Sequence, residues 1–146
     1  MSDNFLESCL FFNTNVLSRN LLKLAQIEFD HLKLSPAHAS LMLLVYDNPG
    51  ISPKKLSEAL HLTPSTITRF MDALVKKDLI IRETKGKLAF IYPSLLGLGL
   101  KAPIALAYKR VYERYTQILG KKNANQLSHT LLETIKTLEN SIYDNE

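Results

Sequence analysis

The sequence has little cysteine: one thiol, Cys9, in 146 residues. That excludes an internal disulfide and suits a reducing compartment. No apolar run approaches the ~20 residues that a bilayer span requires. No basic segment followed by an apolar one opens the chain, so neither a membrane span nor a secretory leader is expected. A soluble cytoplasmic protein with no membrane partner is the expectation. Phosphate-cradling loops, nucleophile motifs and carboxylate pairs on neighbouring elements are all missing, which argues against an enzyme and against a bound cofactor. His31, His38 and His61 lack metal-ligand spacing and His129 stands alone, so no metal site is expected. There is no internal repeat and no low-complexity segment. With 46% apolar and 22% charged residues, the composition is that of a folded globular chain.

What is present is a local excess of positive charge. Ser52 to Tyr92 holds eight basic residues, namely Lys54, Lys55, Arg69, Lys76, Lys77, Arg82, Lys85 and Lys87. Four acids, Glu58, Asp72, Asp78 and Glu83, share that window, leaving +4, the whole net charge of the chain. Elsewhere ten basic and ten acidic residues cancel. A +4 chain in general fits nucleic acid, an anionic membrane or no partner at all; concentration in one window favours a polyanion.

The order of elements follows from cap signals. Asn4 with Glu7 has capping-box spacing and precedes the apolar stripe Leu6, Leu10, Leu17, Leu21, Leu24, Ile27 and Leu32, which predicts one long helix over 5–32. Ser35-Pro36, Ser52-Pro53 and Thr63-Pro64 each pair a hydroxyl N-cap with a proline at the first helical position. The second pair opens a short helix with Leu56, Ala59 and Leu60 inward; the third opens one with Ile67, Met71 and Leu74 inward. Only His61 and Leu62 separate them, the spacing of a helix-turn-helix. Leu79 to Glu83 and Leu88 to Tyr92, joined by Thr84-Lys85-Gly86-Lys87, read as a β-hairpin, and a hairpin in that place is a wing. Ser94 is a candidate cap for a helix weakened by Gly97, Gly99 and Pro103. A regular stripe then runs from Ile104 to Gly120. Asn123 with Gln126 reads as a further cap, before Leu127, Leu131, Ile135, Leu138 and Ile142.

On these residues the chain resembles the MarR family of bacterial regulators. The likeness is carried by Leu34-Ser35-Pro36, by Ile51 to Leu60, by Leu62 to Arg69 and by Leu74 to Ile80, and it follows the element order along nearly the whole chain. It implies a mainly α fold with a small β-hairpin wing: a winged helix-turn-helix over 35–93 between dimerisation helices at 1–34 and 94–146, forming one intertwined domain. It also implies a homodimer that represses by occluding a promoter palindrome. In the family a small, often aromatic or phenolic effector binds between the dimer helices and the winged region. One departure is visible. The family wing is longer and carries Asp-x-Arg near its tip, where this chain has Thr84-Lys85-Gly86-Lys87.

The residues themselves supply the chemistry. Ser65, Thr68 and Arg69 lie opposite the apolar face of the second helix, where short polar side chains approach base edges and one arginine reads guanine O6 and N7. Lys54, Lys55, Thr63, Lys76, Lys77, Arg82, Lys85 and Lys87 are the candidate phosphate contacts. Asp72 shares the reading face and would repel phosphate unless it pairs with Arg69 or accepts from cytosine N4. Leu6, Leu10, Leu127, Leu131, Ile135, Leu138 and Ile142 are candidates for dimerisation, since two reading heads on a dyad match a palindrome about one helical turn apart. Cys9 loosely resembles the thiol of the peroxide-sensing subgroup, although its nearest basic residue is Arg19; a small buried hydrophobe is the alternative. The competing function is a winged helix used for protein contacts, as an antagonist of another regulator, with little DNA binding of its own.

Overall fold

Four helices begin on hydroxyl caps. In a computed structural model describing residues 4–143 (Tyr143 by its backbone alone), these are α2 (Pro36–Asp47), α3 (Pro53–Leu60), α4 (Pro64–Lys76) and α5 (Leu95–Gly99). Ser35, Ser52, Thr63 and Ser94 accept from the backbone N–H of His38, Lys55, Thr66 and Gly97 at 3.0, 3.2, 3.3 and 2.9 Å. Each cap satisfies an amide that the helix itself leaves unpaired. β1 (Ile80–Lys85) and β2 (Leu88–Pro93) pair antiparallel from Ile80↔Pro93 to Lys85↔Leu88. The fold is thus mainly α with one hairpin, as the sequence suggested. Helix α1 (Leu10–Phe29) precedes this set; α6 (Lys101–Leu119) and α7 (Lys121–Tyr143) follow it.

The core gathers where the apolar faces of these short elements meet. Leu41, Met42, Val45, Leu56, Ile67, Leu74, Ile91 and Ile104 are all buried. Each such side chain contributes about 1.5–3 kcal/mol relative to exposure. Phe29 of α1 meets Tyr108 of α6 edge to face, with ring centroids 5.0 Å apart, and the Tyr108 hydroxyl donates to the Pro36 carbonyl at 2.9 Å. Backbone bonds from Gly50 N to Ile91 O and from Ile91 N to Ile51 O tie the hairpin to the segment before α3.

Several sequence expectations need correction. The first helix does not run over 5–32. A 3-10 turn (Leu6–Ser8) precedes α1, the backbone at Cys9 is extended with ψ 114°, and a second 3-10 turn (Asp30–Leu32) follows. The box expected from Asn4 and Glu7 is not formed: neither the turn nor α1 has a side-chain cap bond. Ala59 is exposed rather than inward, because eight residues of α3 bury little beyond Leu56. The hairpin link is two residues, not four. Gly86, at φ +61°, takes the first position, as a tight two-residue turn requires, and both strands extend to meet it. Asn123 does not cap α7. Its side-chain amide donates to the Leu119 carbonyl at 3.2 Å, closing the end of α6 instead.

The chain divides into two units between Tyr108 and Lys109. In the second, Gly120 at φ +85° turns α6 into α7, and Tyr112 stands edge-on to Tyr115 at 5.4 Å and donates to Asn125 Oδ1 at 3.2 Å. No helix among the described residues is long and apolar enough to cross a membrane.

Tyr46 of α2 makes the first unit sensitive to alkali. Its hydroxyl donates to the Gly97 carbonyl, and burial pushes its pKa up to about 12 from an ordinary 10. The neutral phenol is the form that the fold favours. Its contribution is therefore complete below pH 10 and lost as pH rises through about 12. Denaturant unfolding at pH 9 and pH 11.5 should show a loss of about 2 kcal/mol in the wild type. Tyr46→Phe should make that dependence shallower but not flat, because burial raises Tyr108 as well; an equally steep fall in the variant would remove Tyr46 as a source.

Candidate nucleic-acid interface

Helix α4 has two faces of opposite character. Ile67, Met71 and Leu74 are buried, while Ser65, Thr68, Arg69, Asp72 and Lys76 are exposed. The turn before it is short because His61 adopts the left-handed conformation (φ +54°) and ends α3 at once; Ser57 donates its hydroxyl to Leu62 O across the turn. This fixes Thr63 as the cap, so the exposed face begins at the first turn of the helix.

The polar groups on that face form a connected set. Thr63 Oγ1 lies 3.2 Å from Ser65 Oγ and 3.0 Å from Thr66 Oγ1. Arg69 Nη2 donates to Thr66 Oγ1 at 3.3 Å, drawing the guanidinium toward the helix N-terminus. Thr68 turns its hydroxyl back onto the Pro64 carbonyl at 3.0 Å. Thr66, not among the residues singled out from the sequence, joins the cap to the arginine. An i,i+3 count along α4 would have found it.

Asp72 pairs with neither Arg69 nor any group on its own helix: Arg82 of β1 reaches it, Nη2 to Oδ1, at 3.0 Å. That bond ties α4 to the hairpin and employs a cation expected to meet phosphate. Lys77 is similarly engaged, its ammonium donating to the Lys33 carbonyl at 2.9 Å. Beside it, His38 stands edge-on to Phe70, centroids 4.6 Å apart. Burial, and secondarily the charge of Lys77, hold its imidazole below the usual value. Lys54, Lys55, Lys76, Lys85 and Lys87 are exposed, the last two flanking Gly86 at the hairpin tip.

Residues 34–86 match the model of the MarR family. They form a MarR-family domain. This domain holds α2, α3, α4 and the first strand of the hairpin, the elements that place the exposed face just described. Solved structures resemble the whole chain. A MarR protein from Peptoclostridium difficile superposes with a TM-score of 0.83 at 20% identity, covering 100% of this chain and 97% of its own. MepR from S. aureus, in complex with DNA, gives 0.79 at 15% identity over 89% and 98%. CouR from Rhodococcus jostii RHA1, bound to p-coumaroyl-CoA, gives 0.74 at 19% over 86% and 91%. At these identities they show the fold, a winged helix shared by MarR-family regulators. No curated protein matches the sequence.

The other expected residues lie outside this face. Leu6, Leu10, Leu127, Ile135, Leu138 and Ile142 are exposed and Leu131 half-buried, each described within its own unit. Cys9 is half-buried at the break before α1. Among the described residues no group of three His, Cys, Asp or Glu is placed to hold a metal ion.

Proposed function

We propose that the chain is a sequence-specific DNA-binding regulator of transcription, acting as a homodimeric repressor on a palindromic operator. The observation that carries this reading is the face of α4: Ser65, Thr68 and Arg69 stand outward from the first turns of a capped helix inside a MarR-family domain. Short side chains let the helix approach base edges, and the arginine fork suits guanine. The five exposed lysines around it suit phosphate. The DNA-bound MepR structure, of the same fold, supports the reading. Exposed leucines of α7 and of the segment before α1 supply apolar surface for pairing, so residues 1–34 and 94–146 are assigned to dimerisation and 35–93 to DNA. Release by a small aromatic or phenolic ligand is part of the proposal, supported by the p-coumaroyl-CoA complex of CouR.

Selection of bound fragments from the source genome tests it directly. A shared palindrome is expected; recovery of fragments with no common sequence overturns the reading. Arg69→Ala should then cost about 1–3 kcal/mol of discrimination at one base pair in each half-site. Thermal unfolding should not change, and an unaltered preference refutes the role of Arg69. A specific observation favours the protein-contact alternative: Leu88 on the wing is 64% exposed and Leu95 at the start of α5 is 89% exposed. Its mark would be salt-insensitive binding to a protein with no selective binding to DNA.

A further inference from the structure

We infer that Arg82 is a positioning residue for sequence readout: it holds the carboxylate of Asp72 at the base of the hairpin and so keeps it away from Arg69. The inference rests on the DNA-binding reading above, but its first step concerns the protein alone.

Asp72 stands three residues beyond Arg69 and four before Lys76 on the exposed face of α4. Residues at those separations are neighbours on a helix surface, so either cation is a natural partner for the carboxylate. In the structure neither takes it. Arg82 alternates along β1 onto the same side as buried Ile80, which brings its guanidinium to Asp72 Oδ1 at 3.0 Å. Arg69 bonds instead to a neutral hydroxyl, Thr66 Oγ1, at 3.3 Å, itself anchored 3.0 Å from the cap hydroxyl of Thr63.

The difference matters because of what an arginine fork can do. Guanine readout uses two parallel N–H donors, the same pair that a carboxylate engages in a bidentate ion pair. An arginine paired with Asp72 would have to break a charge-assisted bond before meeting a base. One resting on a threonine hydroxyl gives up only a neutral acceptor. Arg82 also cancels the one negative charge on the reading face, which would otherwise stand against the phosphates.

The test compares Arg82→Met, which keeps an apolar stem, with Asp72→Asn and the double variant. In the free protein, NMR of the Arg69 Nε–Hε group reads its partner. The signal should shift in R82M and return to its wild-type position in D72N/R82M. With DNA, the preference at the base pair assigned to Arg69 should fall about 2- to 5-fold in R82M, the scale of a competing exposed ion pair. It should recover in the double variant. An Arg69 signal unmoved in R82M overturns the inference, whether or not the protein binds DNA. So does a loss that is equal for all sequences and not recovered by D72N, the behaviour of a plain phosphate contact. Failure of the wild type to select any sequence, by contrast, would sink the regulator reading while the NMR comparison still decided the pairing.

Discussion

Replacing Gly97 by alanine is expected to cost about 3 kcal/mol, seen as a fall of roughly 10 °C in Tm. The reason is contact, not backbone conformation. A Cβ on Gly97 would sit 2.0 Å from the Leu79 carbonyl oxygen and 3.2 Å from Met42 Cε. That oxygen cannot retreat freely, because it accepts from Ser94 N at 3.0 Å and belongs to a buried residue at the root of the hairpin. Gly97 is held on its own side too: its N–H donates to Ser94 Oγ at 2.9 Å and its carbonyl accepts from Tyr46. The serine hydroxyl donates in turn to Asp78 O at 2.6 Å. Helix α5, helix α2 and the strand junction therefore meet at one atom-sized gap. Gly99, two residues on, is the control. Nothing lies within 4 Å of a Cβ there, so Gly99→Ala should be neutral or stabilising by about 0.5 kcal/mol through the unfolded chain. Equal melting temperatures for the two variants would contradict this account.

Gly97 also marks where the sequence ceased to be legible. In the sequence it reads as a weak helix former; its actual role, the close approach of Leu79, depends on the residue just before β1, eighteen positions earlier. What was legible was local. The Ser-Pro and Thr-Pro pairs fix α2, α3 and α4 because cap and proline act within one turn, and the spacing of Ile67, Met71 and Leu74 fixes which side of α4 is buried. The wing was visible for the same reason, although strand propensity could not place its turn at Gly86-Lys87. The break at Cys9 was hidden because the apolar period continues through it from Leu6 to Leu10. The partners of the charged groups were hidden most of all. Asp72 meets Arg82 across ten positions and Lys77 meets the Lys33 carbonyl across forty-four, distances over which periodicity carries no information. Two of the cations counted toward DNA in the sequence are thus occupied within the fold.

That occupancy changes what salt should do. For a pair of protomers, Lys54, Lys55, Lys76, Lys85 and Lys87 offer up to five phosphate contacts each, and binding should weaken about 10³- to 10⁵-fold between 50 and 200 mM salt. The dependence should be divisible. Lys85 and Lys87 flank the turn at the hairpin tip, both exposed. Replacing both by glutamine removes two charges per protomer, so the slope of log affinity against log salt should become shallower by about 4, with base preference unchanged. Lys77→Gln should leave the slope as it was, since its ammonium already serves Lys33. A hairpin of two six-residue strands is also a strict ruler: each reaches only about 17 Å, at 3.4 Å per step. If K85Q/K87Q binds DNA with the wild-type slope, the tip stops short of the backbone, and the helix face of α4 reads its site without help from the wing.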